Sequence, residues 1–352
     1  MKNITREQLN AYRQCVAEAN GITFSDTKTK FTVEPSIQQK LETKVQESSE
    51  FLSKINIVPV DEMSGELLGL GIAGTLASTT DTSKSKEGRE TQDLTNMDSR
   101  QYQCVQINYD THITYGQLDL WAKFPDFKKR ISDLKTKRIA LDRIMIGFNG
   151  TSHSKTSNRK TNPLLQDVQK GWLEQIRQDA PERHFKEETQ GAGVIKVGKG
   201  QTYQNIDAVV YSAVNDFIAT WHQEDTELVA IMGRDLLADK YFPLVNDIKQ
   251  PTETMAADII ISQKRVGGLQ AVRVPSFPKN TILITRLDNL SIYYQNGKNR
   301  RAIIDNPKFD RIEDYMSSND AFVVENLDCV ALIENLVFED KPKAESTESV
   351  GG

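Results

Sequence analysis

The stretch PDFKKRISDLKTKRIALDRIMIGFNG, residues 125–150, sets the architecture of this chain. Pro125 stands at a favoured first-turn position, where its missing N–H costs nothing. Phe127, Ile131, Leu134, Leu141, Met145 and Phe148 then step by four and three, with Arg138 taking one seam position. Asn149-Gly150 supplies a stop. At about 1.5 Å per residue the spacing predicts a helix roughly 36 Å long, a candidate structural spine.

Towards the N-terminus, Ser36 with Gln39 makes a capping-box pattern, and Ile37, Leu41, Val45, Leu52 and Ile55 form a narrow apolar stripe. This predicts a second rod of roughly 30 Å lying along a surface or a neighbour. Ahead of it, residues 5–20 read as a short amphipathic helix. Thr5 and Gln8 repeat the capping pattern, Leu9, Tyr12, Val16 and Ala19 share one face, and Gly21 ends it. The polar run 23–30 separates this leader from the rest. Two readings stay open: a disordered tail with nascent helix, or a removable segment that acts during assembly.

Between the two long helices, INIVPV (55–60) is strand-like and leads through 66–76 into the polar stretch 78–101. The chain returns through 102–109 and 111–115, which alternate at period two. This predicts a long hairpin with a polar tip, a length of loop that usually signals functional reach or disorder. Beyond the spine, 151–162 reads as a loop and 164–178 as a helix carrying Trp172. From Asn205 the pattern becomes α+β, with a helix to Trp221, a strand at 227–232, and a helix at 234–241. Strands follow at 269–274, 281–285 and 291–295. Asn296-Gly297 reads as a tight hairpin turn into 300–304. Strands around 321–325 and 329–338 close the fold, and 339–352 reads as a disordered tail.

Composition narrows the function. The 352 residues are 38% apolar, with 49 acidic and 44 basic side chains and a net charge of −5. Mean hydropathy is −0.51. No positive excess exists for a dedicated nucleic-acid binder, although such a chain can enclose nucleic acid without gripping it. Cys15, Cys104 and Cys329 form no C-x-x-C pair and read as reduced thiols in a cytoplasmic setting. The first residues hold no apolar h-region, and no run reaches the roughly eighteen apolar residues of a membrane span, so no membrane partner is expected. The sequons at Asn3, Asn149 and Asn289 therefore carry no weight.

The residues that could carry chemistry are scattered. Gly69, Gly71 and Gly74 spell G-x-G-x-x-G, but TLASTTDTSKSK follows, which cannot begin a helix with a packing face. The segment from Gly193 through Gly198 to Lys199 matches most of a phosphate loop, yet Gly200 stands where a Ser or Thr is needed; a β-hairpin with a basic tip is expected. Asp235 and Asp239 share a helix face, and Glu224, Asp225 and Glu227 cluster before a strand. Paired acids do acid–base work only when burial splits their pKa values, so a solvated face is the reading here. His112, His153, His184 and His222 lie apart from one another and from any cysteine. No catalytic residue, cofactor or metal is expected, and the chain is not read as an enzyme.

In this order the elements resemble the major capsid proteins of tailed bacteriophages, specifically those of peduovirus-type temperate phages. The resemblance covers nearly the whole chain. It rests on KFTVEPS (30–36), INIVPV (55–60), ASTTDT (77–82), LDLWA (118–122), GFNG (147–150), LLADKYFP (236–243), IISQKR (260–265), AVRVP (271–275) and LSIYY (290–294), at family-like spacing. It implies the α+β fold shared by tailed-phage and herpesvirus capsids. The implied parts are a leader (1–31), an N-terminal arm (32–60), an extended E-loop (61–116), a peripheral domain with the spine helix (117–204), an axial domain (205–315), a peripheral return (316–338) and a tail (339–352).

The resemblance further implies self-assembly into hexamers and pentamers of an icosahedral head shell around double-stranded DNA. The subunit would sit in the virion after assembly in the host cytoplasm. The implied partners are other copies, an internal scaffold and maturation protease, a portal at one vertex, and DNA bound without sequence specificity. Carried over by position, the leader would be cut between Phe31 and Thr32. Lys84 and Lys86 lie near the E-loop tip, but no supporting constellation predicts an isopeptide crosslink. A non-viral nanocompartment of the same fold, or a nucleotide-binding enzyme using the Gly69 or Gly198 loop, are the alternatives.

Overall fold

The computed structural model describes residues 1–67, 100–124, 126–238 and 264–338, with Ala77, Thr79 and Lys240 besides. The helices are α1 Asn3–Ala19, α2 Pro35–Glu47, α3 Tyr115–Trp121, α4 Phe127–Asn149, α5 Trp172–Asp179 and α6 Ile206–Phe217. The first strands are β1 Phe31–Thr32, β2 Asn56–Val60, β3 Ser64–Glu66, β4 Gln101–Gln103, β5 Val105–Asn108 and β6 Thr111–Thr114. Then come β7 His184–Phe185, β8 Ile195–Val197, β9 Leu228–Met232, β10 Arg265–Val266, β11 Leu269–Arg273 and β12 Ile282–Arg286. The last are β13 Leu290–Gln295, β14 Arg300–Asn306, β15 Arg311–Val324, β16 Ala331–Ile333 and β17 Leu336–Phe338. Among the described residues no helix is long and apolar enough to cross a membrane.

The chain forms two compact units, Met1–Gln175 with Leu287–Asp328, and Ile176–Arg286 with Cys329–Gly352. The first is built on a seven-stranded sheet whose main path runs β1-β14-β15-β13-β2. The long β15 pairs antiparallel with β14, β13, β5 and β6, while β2 runs parallel to β13. α4 buries Ile139, Ala140, Ile144, Ile146 and Phe148. Phe148, Phe51 and Phe322 close round the Trp172 ring at centroid distances of 5.0, 6.2 and 5.4 Å. Trp172 Nε1 donates to the Ser291 carbonyl at 3.0 Å, so its polar tip is satisfied inside the core. Gly147 is required here, because a Cβ at that position would fall inside the Trp172 ring.

The second unit carries a six-stranded sheet, β10-β11-β9-β12-β16-β7, with β9 and β11 parallel. β9 is buried at every position, as expected for a strand covered on both faces. α6 lays Ile206, Val209, Val210 and Ala213 into the same core. Asn205 caps it by accepting the Ala208 N–H at 2.9 Å.

Several local expectations shift. α2 stops at Glu47, shorter than the expected rod, and neither Ser36 nor Thr5 caps its helix; α2 opens at Pro35 instead. On α4 the stripe turns: Leu134 and Leu141 are exposed while Arg143 is buried. The helix expected from residue 164 begins at Trp172, since Leu165 adopts φ +60°, outside the helical region. Gly297 does sit in a turn at φ +66°, but β13 and β14 do not pair with each other: they lie end to end along one edge of β15, opposite β5 and β6. A boundary differs as well. Residues 287–315, expected with the block starting at Asn205, pack with the first unit through β13 and β14. Conversely, residues 176–204 and 329–338 pack with the second unit through β7, β8, β16 and β17.

Candidate assembly site and leader junction

The leader is folded onto the first unit. Leu9 and Val16 of α1 join a cluster with Phe31, Val33, Leu118, Phe127, Ile303 and Ile312. Thr5, read from sequence as a cap, instead points its hydroxyl at Asp119 Oδ1 at 2.5 Å, and the Lys2 N–H donates to the same oxygen at 2.9 Å. Those bonds hold the Asp119 carboxyl below its usual range. The polar run 23–30 is not a passive spacer. Arg13 donates from Nε and Nη2 to the buried Thr27 hydroxyl at 3.1 and 2.7 Å and stacks its guanidinium 4.4 Å over Phe24.

A charged cluster lies beneath α1. Asp314 accepts from Arg301 Nε at 3.0 Å and Nη2 at 2.7 Å, and Lys135 Nζ forms an ion pair with it at 3.0 Å. The Tyr12 hydroxyl accepts from Arg301 Nη2 at 2.6 Å. Burial pushes the Lys135 ammonium down to about 8, with the Asp314 charge opposing it. Burial would raise the Asp314 carboxyl, but its two cations win and keep it low.

The candidate junction occupies β1. Phe31 pairs with Arg301 and Thr32 with Arg300; Phe31 is buried and Thr32 exposed. The Val33 N–H continues the ladder to the Asn299 carbonyl at 2.8 Å. Cleavage of this bond in the folded chain therefore needs local release of a short edge strand.

Behind the junction, α2, α4 and β15 are locked by buried polar groups. Arg143 donates to both Glu42 oxygens and, from Nε, to Asp320 Oδ2 at 3.1 Å. Asp320 also accepts from Tyr109 at 3.0 Å and Ser318 at 2.6 Å. Sequence reading missed this network. An arginine inside the apolar run IALDRIMIGF (139–148) was the available signal, but seam counting had placed Arg138 there.

The exposed apolar side chains are the other notable feature. Leu134 and Leu141 stand on one face of α4 at 54% and 42% exposure, and Leu120 and Phe124 are also open. Leu134 and Leu141, two turns apart on α4, make that face a candidate for cover by another chain.

The scattered chemical candidates are not brought together. Asp225 and Glu227 pair with Arg286, the former at 3.0 Å. His184 Nε2 lies 2.7 Å from Glu334, His153 Nδ1 is 2.7 Å from the Val168 carbonyl, and His112 is exposed on β6. His222 lies in the short 3₁₀ turn Thr220–His222. The 193–199 segment contributes β8, which pairs in parallel with β17 and so forms no hairpin of its own. Among the described residues no group of His, Cys, Asp and Glu could hold a metal ion. Gly69, Gly71, Gly74, Lys84, Lys86, Asp239 and the 339–352 tail lie outside the described residues.

A long helix packed on a seven-stranded sheet, an N-terminal helix docked on the same unit and a second α+β unit are the architecture of a shell-building subunit of the tailed-phage capsid fold. The model of the phage major capsid protein P2 family matches residues 8–336. The capsid protein of Escherichia phage P2 is 51% identical over 345 residues, covering 97% of this chain and 96% of that one. The major capsid protein of Serratia phage KSP20 is 42% identical over 346 residues, covering 96% and 98%. A chain of the satellite phage P4 procapsid that includes the size determination (Sid) protein superposes with a TM-score of 0.80 at 48% identity, over 97% of this chain and 99% of that one. The chain belongs to the P2 family of phage major capsid proteins. It is the capsid-building protein of a P2-like phage and a component of the head shell.

Proposed function

We propose that copies of this chain form hexamers and pentamers of an icosahedral head, and that residues 1–31 serve assembly and are then cut away between Phe31 and Thr32. The observation that carries the leader reading is its mode of attachment. α1 packs on its own subunit, and the segment behind it rejoins the fold through the two-residue strand β1. Such an element opens at modest local cost and can be detached as a unit.

Thr32–Val60 then acts as an arm and 61–116 as the loop reaching a neighbour. The α4 unit supplies the peripheral role, and the block starting near Asn205 the axial role. Rings of heterologous contacts close the capsomers, and many modest repeated contacts make the shell slow to dissociate. The internal scaffold with its protease, the portal and double-stranded DNA are the partners in this reading, and assembly takes place in the host cytoplasm. The net charge of −5 limits sticking of DNA to the wall. No catalysis is assigned to the chain itself.

Mass spectrometry of shells from infected cells tests the leader claim. A subunit beginning at Thr32 is expected; mature particles retaining an intact Met1 end overturn it. Electron microscopy of the protein expressed with and without its scaffold tests the capsomer claim.

A further inference from the structure

We propose that the open edge of β5 is a docking groove for an extended acidic segment of an assembly partner, with the leader supplying part of its charge. The loss of grip on maturation rests on the leader reading above; the binding itself does not.

β5 pairs with β15, and among the described residues no strand pairs with its other edge. Residues 106–111 line a cleft of about 650 Å³ consecutively, facing α4 and the loop 153–168. An open strand edge offers a row of backbone donors and acceptors, the template used when a peptide adds a strand. Ile139, Ile146, Leu165 and Val168 give that cleft apolar lining for alternate side chains of such a peptide.

The walls carry the charge. Arg138, Lys155 and Arg159 flank this cleft. A second cleft of about 400 Å³ shares Gln106, Asn108 and Asp110 with it and adds Lys28, Lys30 and Arg300. All six cations are exposed. Asp142 and Arg138 offset each other at 2.8 Å, and Asp110 accepts the Met316 N–H at 3.1 Å, so Lys28, Lys30, Lys155, Arg159 and Arg300 carry a positive excess over the Asp110 charge. A basic groove thus crosses the surface of a chain whose net charge is −5. Nucleic acid gains from exposed cations and from single amides that meet phosphates, but a continuous open strand edge beside apolar recesses for alternate side chains fits an extended peptide better. An acidic peptide uses all three. Because Lys28 and Lys30 belong to residues 1–31, the groove is complete only while the leader is attached.

The test is fluorescence anisotropy on the full chain, held below its assembly concentration, with a dye-labelled peptide of alternating Glu and Val. Saturable binding is expected, with no binding of a Lys–Val peptide and loss of binding when alternate amides are N-methylated. The pairs K155E/R159E and K28E/K30E, each shown to be folded by circular dichroism, are expected to weaken binding about tenfold or more. Undiminished affinity in K155E/R159E, or in the N-methylated peptide, overturns the groove. An equal-length single-stranded oligonucleotide that binds as tightly, and weakens in the same variants, overturns the choice of a peptide. Loss of self-association in K155E/R159E without peptide binding assigns the groove to a second copy instead. Full affinity in K28E/K30E alone overturns the leader's contribution. A Met1 end retained in mature particles would end the leader reading while leaving every binding arm intact.

Discussion

Arg143 of α4 lies across the Glu42 carboxylate of α2, with Nη2 donating to Oε1 at 3.1 Å and both side chains shut off from water. With Asp320 on its other side, one cation answers two carboxylates. Arg143→Leu leaves both acids buried without a counter-charge, which costs about 3–5 kcal/mol. Urea unfolding of the unassembled chain measures it. A loss below about 1 kcal/mol would show the network is dispensable to the fold.

Glu334 gives a pH signature. Burial would raise its carboxyl, but hydrogen bonds from Arg177 and His184 outweigh that and hold it down to about 2. An ordinary glutamate titrates near about 4.3, so the stabilisation is complete above that pH and is lost as pH falls towards about 2. Allowing for partial solvent screening, it is on the order of 2 kcal/mol. Glu334→Gln should lower stability near neutral pH and flatten the profile across that acid window. Parallel profiles for variant and wild type would refute it.

Two glycines should respond with opposite signs. Gly147→Ala drives a methyl into the Trp172 ring and should cost at least about 1–3 kcal/mol. Gly116→Ala, in α3 with open space around it, should stabilise by about 0.4–1 kcal/mol. Melting temperatures of the two variants decide the matter.

Leader docking depends on Leu9 and Tyr12. Leu9→Ala opens a gap in the cluster under α1, and Tyr12→Phe deprives Arg301 of an acceptor worth about 1 kcal/mol. Hydrogen exchange in α1 and proteolytic nicking before residue 32 should both quicken, with β9 unaffected. Unchanged nicking in the double variant would mean the leader is held elsewhere.

Leu134→Ser with Leu141→Ser separates folding from assembly. Both residues are about half exposed, so the lone chain should lose about 1–2 kcal/mol and still fold. Light scattering of assembly reactions should show slower or lower particle yield. Normal yield would mean that face stays wet in the shell.

The long helix, the strand at 55–60 and the period-two returns are legible because periodicity reports an element's type; the extent of the block after Asn205 is not. Periodicity does not report which face meets the interior. Spacing puts Leu134, Arg138 and Leu141 on the seam, yet all three are exposed, and Arg143, off that seam, is buried. The pairing of β13 and β14 with one edge of β15, and not with each other, is equally invisible, since Asn296-Gly297 marks a turn without naming the strands that pair. For the junction, resemblance supplied Phe31 and Thr32, whereas the contacts of Leu9, Arg13 and Tyr12 depend on partners as distant as residue 301.

The 14 residues of β15 bear on the timing of translation. Strands laid down early in synthesis, β1, β2, β5 and β6, find their partners only in residues 290–324. A ribosome-bound chain that has not reached Arg311 lacks the strand on which the others converge, and long-range pairing of this kind forms slowly. A chain released before Arg311 therefore cannot close the sheet of its first unit.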